Sequence, residues 1–192
     1  MLSLLVIVMA LFVVSIVDSA CPTSSSQFPQ LETQPESLGA LDGIWLDEFS
    51  SREADTHFYC TQQANAQLNA TSYRTDTTSF MAQGKLPYAA SFINVGVAQQ
   101  GSELVFELVP ASRSAHWFAG SLFFLVDYQP DAYYAWMICN DSDEYEFHIS
   151  ARQGAKLDGI PDRVLGILDD YGLNPQGQTF HEEPHPVDVC ST

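Results

Sequence analysis

Positive charge is scarce in this chain: Lys and Arg number 7 in 192 residues against 24 Asp and Glu, a formal net charge of −17. The few cations are scattered and form no basic patch, which argues against nucleic acid or an anionic lipid surface as a partner. The acidity reads as a solubilising surface. Close cysteine pairs are also lacking. The four cysteines, at positions 21, 60, 139 and 190, have none of the CxxC spacing of a zinc site. No segment after residue 20 is apolar enough for long enough to cross a bilayer, so stable membrane insertion of the mature chain is not expected. Helical periodicity is absent until after Lys156, and no internal repeat is visible.

The chain opens with an apolar run, Leu2 to Val17, that is short for a membrane span and ends in Ser19 and Ala20. It reads as a secretory signal peptide, residues 1–20, cleaved near Ala20. Two features depart from the pattern. No Lys or Arg precedes the run, and Asp18 stands where a small residue is preferred; Asp18 also disfavours a lipoprotein acylated at Cys21. About 170 residues follow, the size of one domain with a real core. An even number of cysteines in a secreted chain points to two disulfides, and the spacing leaves three connectivities open. The sequons at Asn69 (NAT) and Asn140 (NDS) suit a secreted glycoprotein.

Residues 21–37, rich in Ser, Gln, Thr and Pro, are expected to form an extended N-terminal arm rather than a packed element. Residues 38–192 then form the domain. DTHFYCTQQ, NATSYRTDTTSF, LPYAASFINVGVAQ, SELVFELVP and AHWFAGSLFFLVDY have strand character broken by turn residues, the spacing of a β-sandwich or barrel. From Leu122 to Arg152 three consecutive antiparallel strands are expected. Two of them are apolar on both faces, so each side needs a cover. A sheet closed around an apolar cavity, with a helix outside, meets that demand. The helix follows: Ile160, Val164, Ile167, Leu168 and Tyr171 recur at helical spacing, Pro161 and Asp162 suit a first turn, and Gly172 and Pro175 suit a stop. Residues 174–190 show no periodicity and read as a tail held by Cys190.

Three features stand in a fixed order: GIW at 43–45, VDY at 126–128, and Arg152 before the helix. In that order the chain resembles the lipocalin family, which carries GxW at the first strand, TDY between the sixth and seventh strands and an arginine after the eighth. The likeness spans about Leu38 to Cys190. It implies an all-β fold, an eight-stranded antiparallel up-and-down barrel with one C-terminal α-helix packed outside. Leu46, where an aromatic is common, and Val126, in place of threonine, depart from the pattern. Gly43, Trp45, Asp127, Tyr128 and Arg152 would then close the barrel, with Arg152 across the Trp45 ring in a cation–π contact. The cysteine positions resemble the subgroup of apolipoprotein D and the insect bilin-binding proteins. That likeness implies Cys21 with Cys139 and Cys60 with Cys190.

On the last strand Tyr145, Phe147, Ile149 and Ala151 alternate with Glu146, His148, Ser150 and Arg152. The apolar set suits the helix. The resemblance sends side chains in phase with Arg152 inward, so His148, and Glu146 near the rim, face the cavity. Counting back through the turn adds Tyr134, Trp136 and Ile138, with Phe123 and Leu125 on the preceding strand. Such a pocket, aromatic with one or two polar anchors, is the usual make-up of a small-molecule site. These aromatics equally suit the plain filling of a small barrel. His148 fits a ligand hydrogen bond, a pH-sensitive gate or a satisfied core histidine. The faces of Phe92, Phe106 and Trp117 are not assignable from register.

HEEPH at 181–185 matches the HExxH metalloprotease pattern literally, but Pro184 bars the helix that pattern needs, and no third ligand follows. No metal or cofactor is expected. All four cysteines have expected partners, leaving no thiol nucleophile. The sequence therefore leads to a secreted protein, monomer or homodimer, that binds or carries a small hydrophobic ligand such as a pigment, fatty acid, retinoid or sterol. The alternatives are a lipocalin-type enzyme acting on a lipid or carotenoid, with Glu146 and Asp127 as the nameable acids, and an interaction protein with a vestigial cavity.

Overall fold

Short turns between β-rich segments dictate a meander, and a computed structural model shows one over the residues it describes, 21–22, 25–52, 58–81, 88–97, 104–140, 142 and 144–185. The strands are β1 (Gly43–Ser50), β2 (Phe58–Asn69), β3 (Ser72–Met81), β4 (Tyr88–Gly96), β5 (Val105–Pro110), β6 (Leu122–Gln129), β7 (Tyr133–Cys139), β8 (Tyr145–Ala151) and a short β9 (His181–Glu182). Consecutive strands pair from β1 through β8. β1 lies between β8 and β2, so the sheet closes into an eight-stranded antiparallel barrel with no free edge between first and last strands. The leader at residues 1–20 lies outside the described residues.

The doubly apolar run from Leu122 to Ala151 finds both of its covers. Phe124, Met137, Phe147 and Ile149 point outward and pack on Val164 and Leu168 of the helix α1 (Ile160–Asp170), while Phe123, Leu125, Tyr134 and Ile138 point into the barrel. Each buried side chain of this size contributes about 1.5–3 kcal/mol. The helix begins after Gly159, whose φ of 74° suits glycine, with Pro161 in its first turn, and Gly172 follows its end at φ 67°.

A bulge between Leu125 and Asp127 breaks the two-residue alternation of β6. Val126 joins the outer cluster, and Asp127 also faces the helix: it accepts from Tyr133 Oη at 2.6 Å and pairs with Arg163 Nε of α1 at 3.0 Å. Tyr128 returns to the interior. A second bulge, between Asp47 and Phe49 on β1, sends Phe49 out against Phe180 and turns Ser50 in.

Three segments depart from the sequence expectation. Residues 113–118, which include AHWF, form a 3-10 helix rather than strand, and Ser112 Oγ just before it accepts from the Ser91 amide at 3.0 Å. The N-terminal arm is packed rather than merely extended. Cys21 is disulfide-bonded to Cys139 with Cα atoms 5.5 Å apart, and Phe28 meets Phe124 edge-on at 5.1 Å. The tail contributes β9, which pairs with Phe49 and Ser50 of β1. Beyond it Glu183 N donates to Glu48 O at 2.8 Å and Cys60 N to Pro184 O at 3.2 Å, so the tail fills the seam where β1 and β2 part. HEEPH is thus extended chain, as Pro184 requires. Cys60 is disulfide-bonded; Cys190, its expected partner, lies outside the described residues.

Candidate functional site

The barrel interior has two storeys. The lower one is a plug built where β1 begins. Trp45, fully buried, donates from Nε1 to Leu41 O at 2.7 Å and meets Tyr134 edge-on at 4.8 Å. Arg152 crosses the indole with its Cζ 3.6 Å from the ring centroid and donates to Ile44 O at 2.9 Å and Asp42 O at 2.6 Å. Gly43, at φ 102°, makes room: a Cβ there would stand 2.8 Å from Arg152 Nη1. Leu125 and Tyr128 complete the plug, and Tyr73 and Phe106 join it at 5.1 Å from each other.

Above the plug lies a cavity of about 440 Å³. One wall is aromatic and aliphatic, with Phe92 on β4, Leu108 on β5, Phe118 after it, Phe123 on β6, and Trp136 and Ile138 on β7. Phe123, Trp136 and His148 form a stack across three strands. The Trp136 ring lies 5.2 Å from Phe123 and 4.2 Å from His148, nearly parallel to the latter at 4°.

The facing wall is polar. The alternation in TQQANAQ and YRTDTTS turns Thr61 and Gln63 of β2 and Thr75, Thr77 and Ser79 of β3 inward. Asp47, Ser50, Glu146, His148 and the tail residue Glu183 join them. A hydrogen-bond chain runs around the junction of the two storeys. Tyr134 donates to Gln63 Oε1 at 2.7 Å, Gln63 to Asp47 Oδ1 at 2.9 Å, Asn65 to Tyr134 Oη at 3.2 Å, Thr75 to Asn65 Oδ1 at 2.7 Å, and Asn94 to Thr75 Oγ1 at 2.9 Å. Ser150 takes a hydrogen bond from Trp136 Nε1 at 2.8 Å and gives its own to Asp47.

Electrostatics divide the acids of this wall. Burial pushes the Asp47 carboxyl above the usual carboxylate range, and His148, Ser150 and Gln63 only partly oppose it. Burial also pushes Glu183 up, and the neighbouring charge of Asp47 adds to it. Glu146 goes the other way. Burial alone would raise it, but His148 and the ion pair with Arg52 outweigh burial and hold it below the ordinary range. Asp47 Oδ2 stands 3.9 Å from His148 Nδ1, which is buried and has no hydrogen-bond partner among the described residues.

Of the residues named from sequence for the cavity, Phe123, Trp136, Ile138, Glu146 and His148 line it. Leu125 and Tyr134 sit lower, in the plug. Asp127, considered as a cavity acid, faces α1 instead, because the β6 bulge puts it outside. Sequence reasoning missed Asp47, Gln63 and Glu183. Asp47 had a signal: it stands two residues after Trp45 on one strand and so shares its inward face. Asn69 is exposed in the β2–β3 turn, whereas Asn140 binds Glu144 Oε2 through Nδ2 at 2.8 Å. The Trp117 side chain lies outside the described residues.

No family model matches the chain, and no curated protein matches it in sequence. Its fold does match solved structures. Lobster apocrustacyanin A1 superposes with a TM-score of 0.58 at 9% identity, covering 78% of this chain and 80% of that one. Apocrustacyanin C2 gives 0.57 at 9% identity, with the same coverages. The cockroach allergen Per a 4 gives 0.56 at 14% identity, covering 85% of this chain and 98% of the allergen. The chain thus has the lipocalin fold.

Proposed function

We propose that this lipocalin-fold protein encloses a small, largely apolar molecule in its barrel and carries it outside the cell without covalent chemistry. The observation that supports it most is the cavity of about 440 Å³ above the Trp45 plug, aromatic along one side and polar along the other. That size and mixture suit a small-molecule site. Burial of ligand surface against Phe92, Phe123, Trp136 and Ile138 supplies most of the affinity, at about 25 cal/mol per Å² before the cost of ordering the ligand. Extracellular carriage draws support from the Cys21–Cys139 disulfide and the oxidised Cys60, which fit an oxidising compartment. Of the two sequons Asn69, exposed at the end of β2, is the one with open space for a glycan.

One observation favours a second reading. Asp47 is a buried carboxyl held towards its protonated form beside an imidazole, the furnishing of a general acid. Asp47 has structural neighbours enough to account for it, and carriage remains the reading we adopt.

Purification from the native source, followed by a visible spectrum and mass spectrometry of the organic extract, tests the proposal. A stoichiometric small molecule is the expected result. An empty protein that also ignores fluorescent fatty acids, retinoids and neutral amphiphiles would remove it. An added lipid recovered with altered mass, and unaltered with Asp47→Asn, would replace carriage by catalysis.

A further inference from the structure

The cavity is apolar on one side only, and its polar side is short of positive charge. Among the described residues its lining carries three carboxylates, Asp47, Glu146 and Glu183, against Arg52 and His148. Arg52 is committed to Glu146 in an ion pair, and His148 Nε2 is 3.5 Å from the same carboxylate. Glu146 is therefore neutralised within the protein. Asp47 and Glu183 have no arginine or lysine in ion-pair contact among the described residues. The Asp47 side chain is only 4% exposed and takes its hydrogen bonds from Gln63 and Ser150 on Oδ1, while Oδ2 faces His148 Nδ1 at 3.9 Å; no ion pair reaches Glu183 among the described residues. A buried carboxylate that repels a half-buried one beside it is costly.

The tail makes this arrangement deliberate in its geometry. Glu183 reaches the cavity because β9 and the Glu183 amide bond to β1 at Glu48, beside Asp47. His185 acts on both acids through its charge but makes its direct contacts with β1. Its Nε2 sits 3.0 Å from the Asp47 backbone carbonyl and 3.4 Å from Glu48 Oε2. Among the described residues the lining keeps an excess of negative charge on this side, which a cation on the ligand would offset.

We propose that the cavity selects amphiphiles with a protonated amine at one end, the ammonium lying between Asp47 and Glu183 and the apolar body along Phe92, Phe123 and Trp136. This inference rests on the enclosing reading above and narrows it to a charge class. A fatty acid or other carboxylate would add a negative charge to a wall that already has an excess. A neutral alcohol can give one hydrogen bond to a carboxylate but brings no charge to offset the excess. The ammonium supplies donors to both acids, with the Phe123–Trp136–His148 stack beside it for its chain. About fifteen water volumes of space, at roughly 30 Å³ each, accommodate an amphiphile of about that many heavy atoms.

The test uses one chain and three heads. The full mature protein, loaded with the neutral fluorophore N-phenylnaphthylamine at neutral pH, is titrated with dodecylamine, dodecanol and dodecanoate below their micellar concentrations. The expected order is the amine first, about tenfold tighter than the alcohol or more, and the carboxylate last. Asp47→Asn with Glu183→Gln should abolish the lead of the amine and leave dodecanol unchanged. Glu183→Gln alone, in the partly exposed tail, serves if the double variant fails to fold, and should reduce the lead about threefold or more. Equal or tighter binding of dodecanoate, or an amine preference that survives the substitutions, overturns the charge selection while leaving enclosure intact. Failure of the fluorophore and all three amphiphiles to bind overturns enclosure itself and this inference with it.

Discussion

The plug and the cavity share strands β1 and β8 and satisfy their polar groups there in opposite ways. Trp45 and Asp47 are two residues apart on β1, and Arg152, just past the end of β8, is four residues from His148 on that strand. Below, Arg152 lies on the indole and donates to two carbonyls, and the indole nitrogen donates to Leu41 O. Above, Asp47 Oδ2 and His148 Nδ1 face each other at 3.9 Å with no hydrogen bond between them. One storey is complete without a ligand, and the other is not. Stability should therefore concentrate below and tolerance above.

The largest expected effect breaks the lower storey. Trp45→Ala should cost about 3–5 kcal/mol in denaturant unfolding, as for a large buried aromatic, because the indole fills the barrel end and Arg152 loses its platform. Gly43→Ala should cost less, about 1–3 kcal/mol, from a positive φ and the displacement of Arg152, and circular dichroism melts would register it. If either change is silent, the plug is not the stabilising half.

Asp47→Asn sharpens the comparison with the opposite sign. The folded state holds the Asp47 proton more tightly than the unfolded state, so stability is greater where the carboxyl is protonated and falls as pH rises through its raised value. Asparagine cannot ionise and can still accept from Gln63. At neutral pH the variant should be as stable as the parent or more so, with a flatter dependence above the usual carboxylate range. A loss like that at Trp45 would place Asp47 with the plug instead.

The smallest effect belongs to the seam. Its hydrogen bond with Glu48 raises the His185 pKa, so what its charge adds to tail anchoring is full below about pH 6.5 and is lost as pH rises through the folded value. Amide exchange at Cys60 and Glu183, which bond Pro184 O and Glu48 O, should accelerate with pH beyond the intrinsic base-catalysed rate. Amides in the β1–β2 ladder at Gly43 to Leu46 should not, and His185→Gln should erase the difference.

Legibility in the sequence followed the range of the interactions. The run from Leu122 to Arg152 could be read because strand alternation and a doubly apolar face are local signals, and the helix because Val164 and Leu168 recur at its period. GIW and Arg152 implied their own contact through resemblance. The phase slips were illegible. Nothing in LVDY marks a bulge that turns Asp127 outward, nor in WLDEFS one that exchanges Phe49 for Ser50. Pairing of His181 and Glu182 with β1 joins residues far apart in the chain, and Pro184 and Pro186 on either side of His185 read locally as loop. Phe28 was hidden by its Ser- and Gln-rich surroundings, although a single aromatic is enough to dock an arm already tied at Cys21.

The three tryptophans offer the most direct test of enclosure. With the indole resonances assigned by single Trp→Phe replacements, the protein is saturated with dodecanol or dodecylamine and the Nε1–H signals are followed by nuclear magnetic resonance. Enclosure above the plug requires the Trp136 signal, whose proton goes to Ser150 beside the cavity, to shift, while that of Trp45, bonded to Leu41 O in the plug, stays in place. A Trp136 signal that does not move at saturating amphiphile would contradict it.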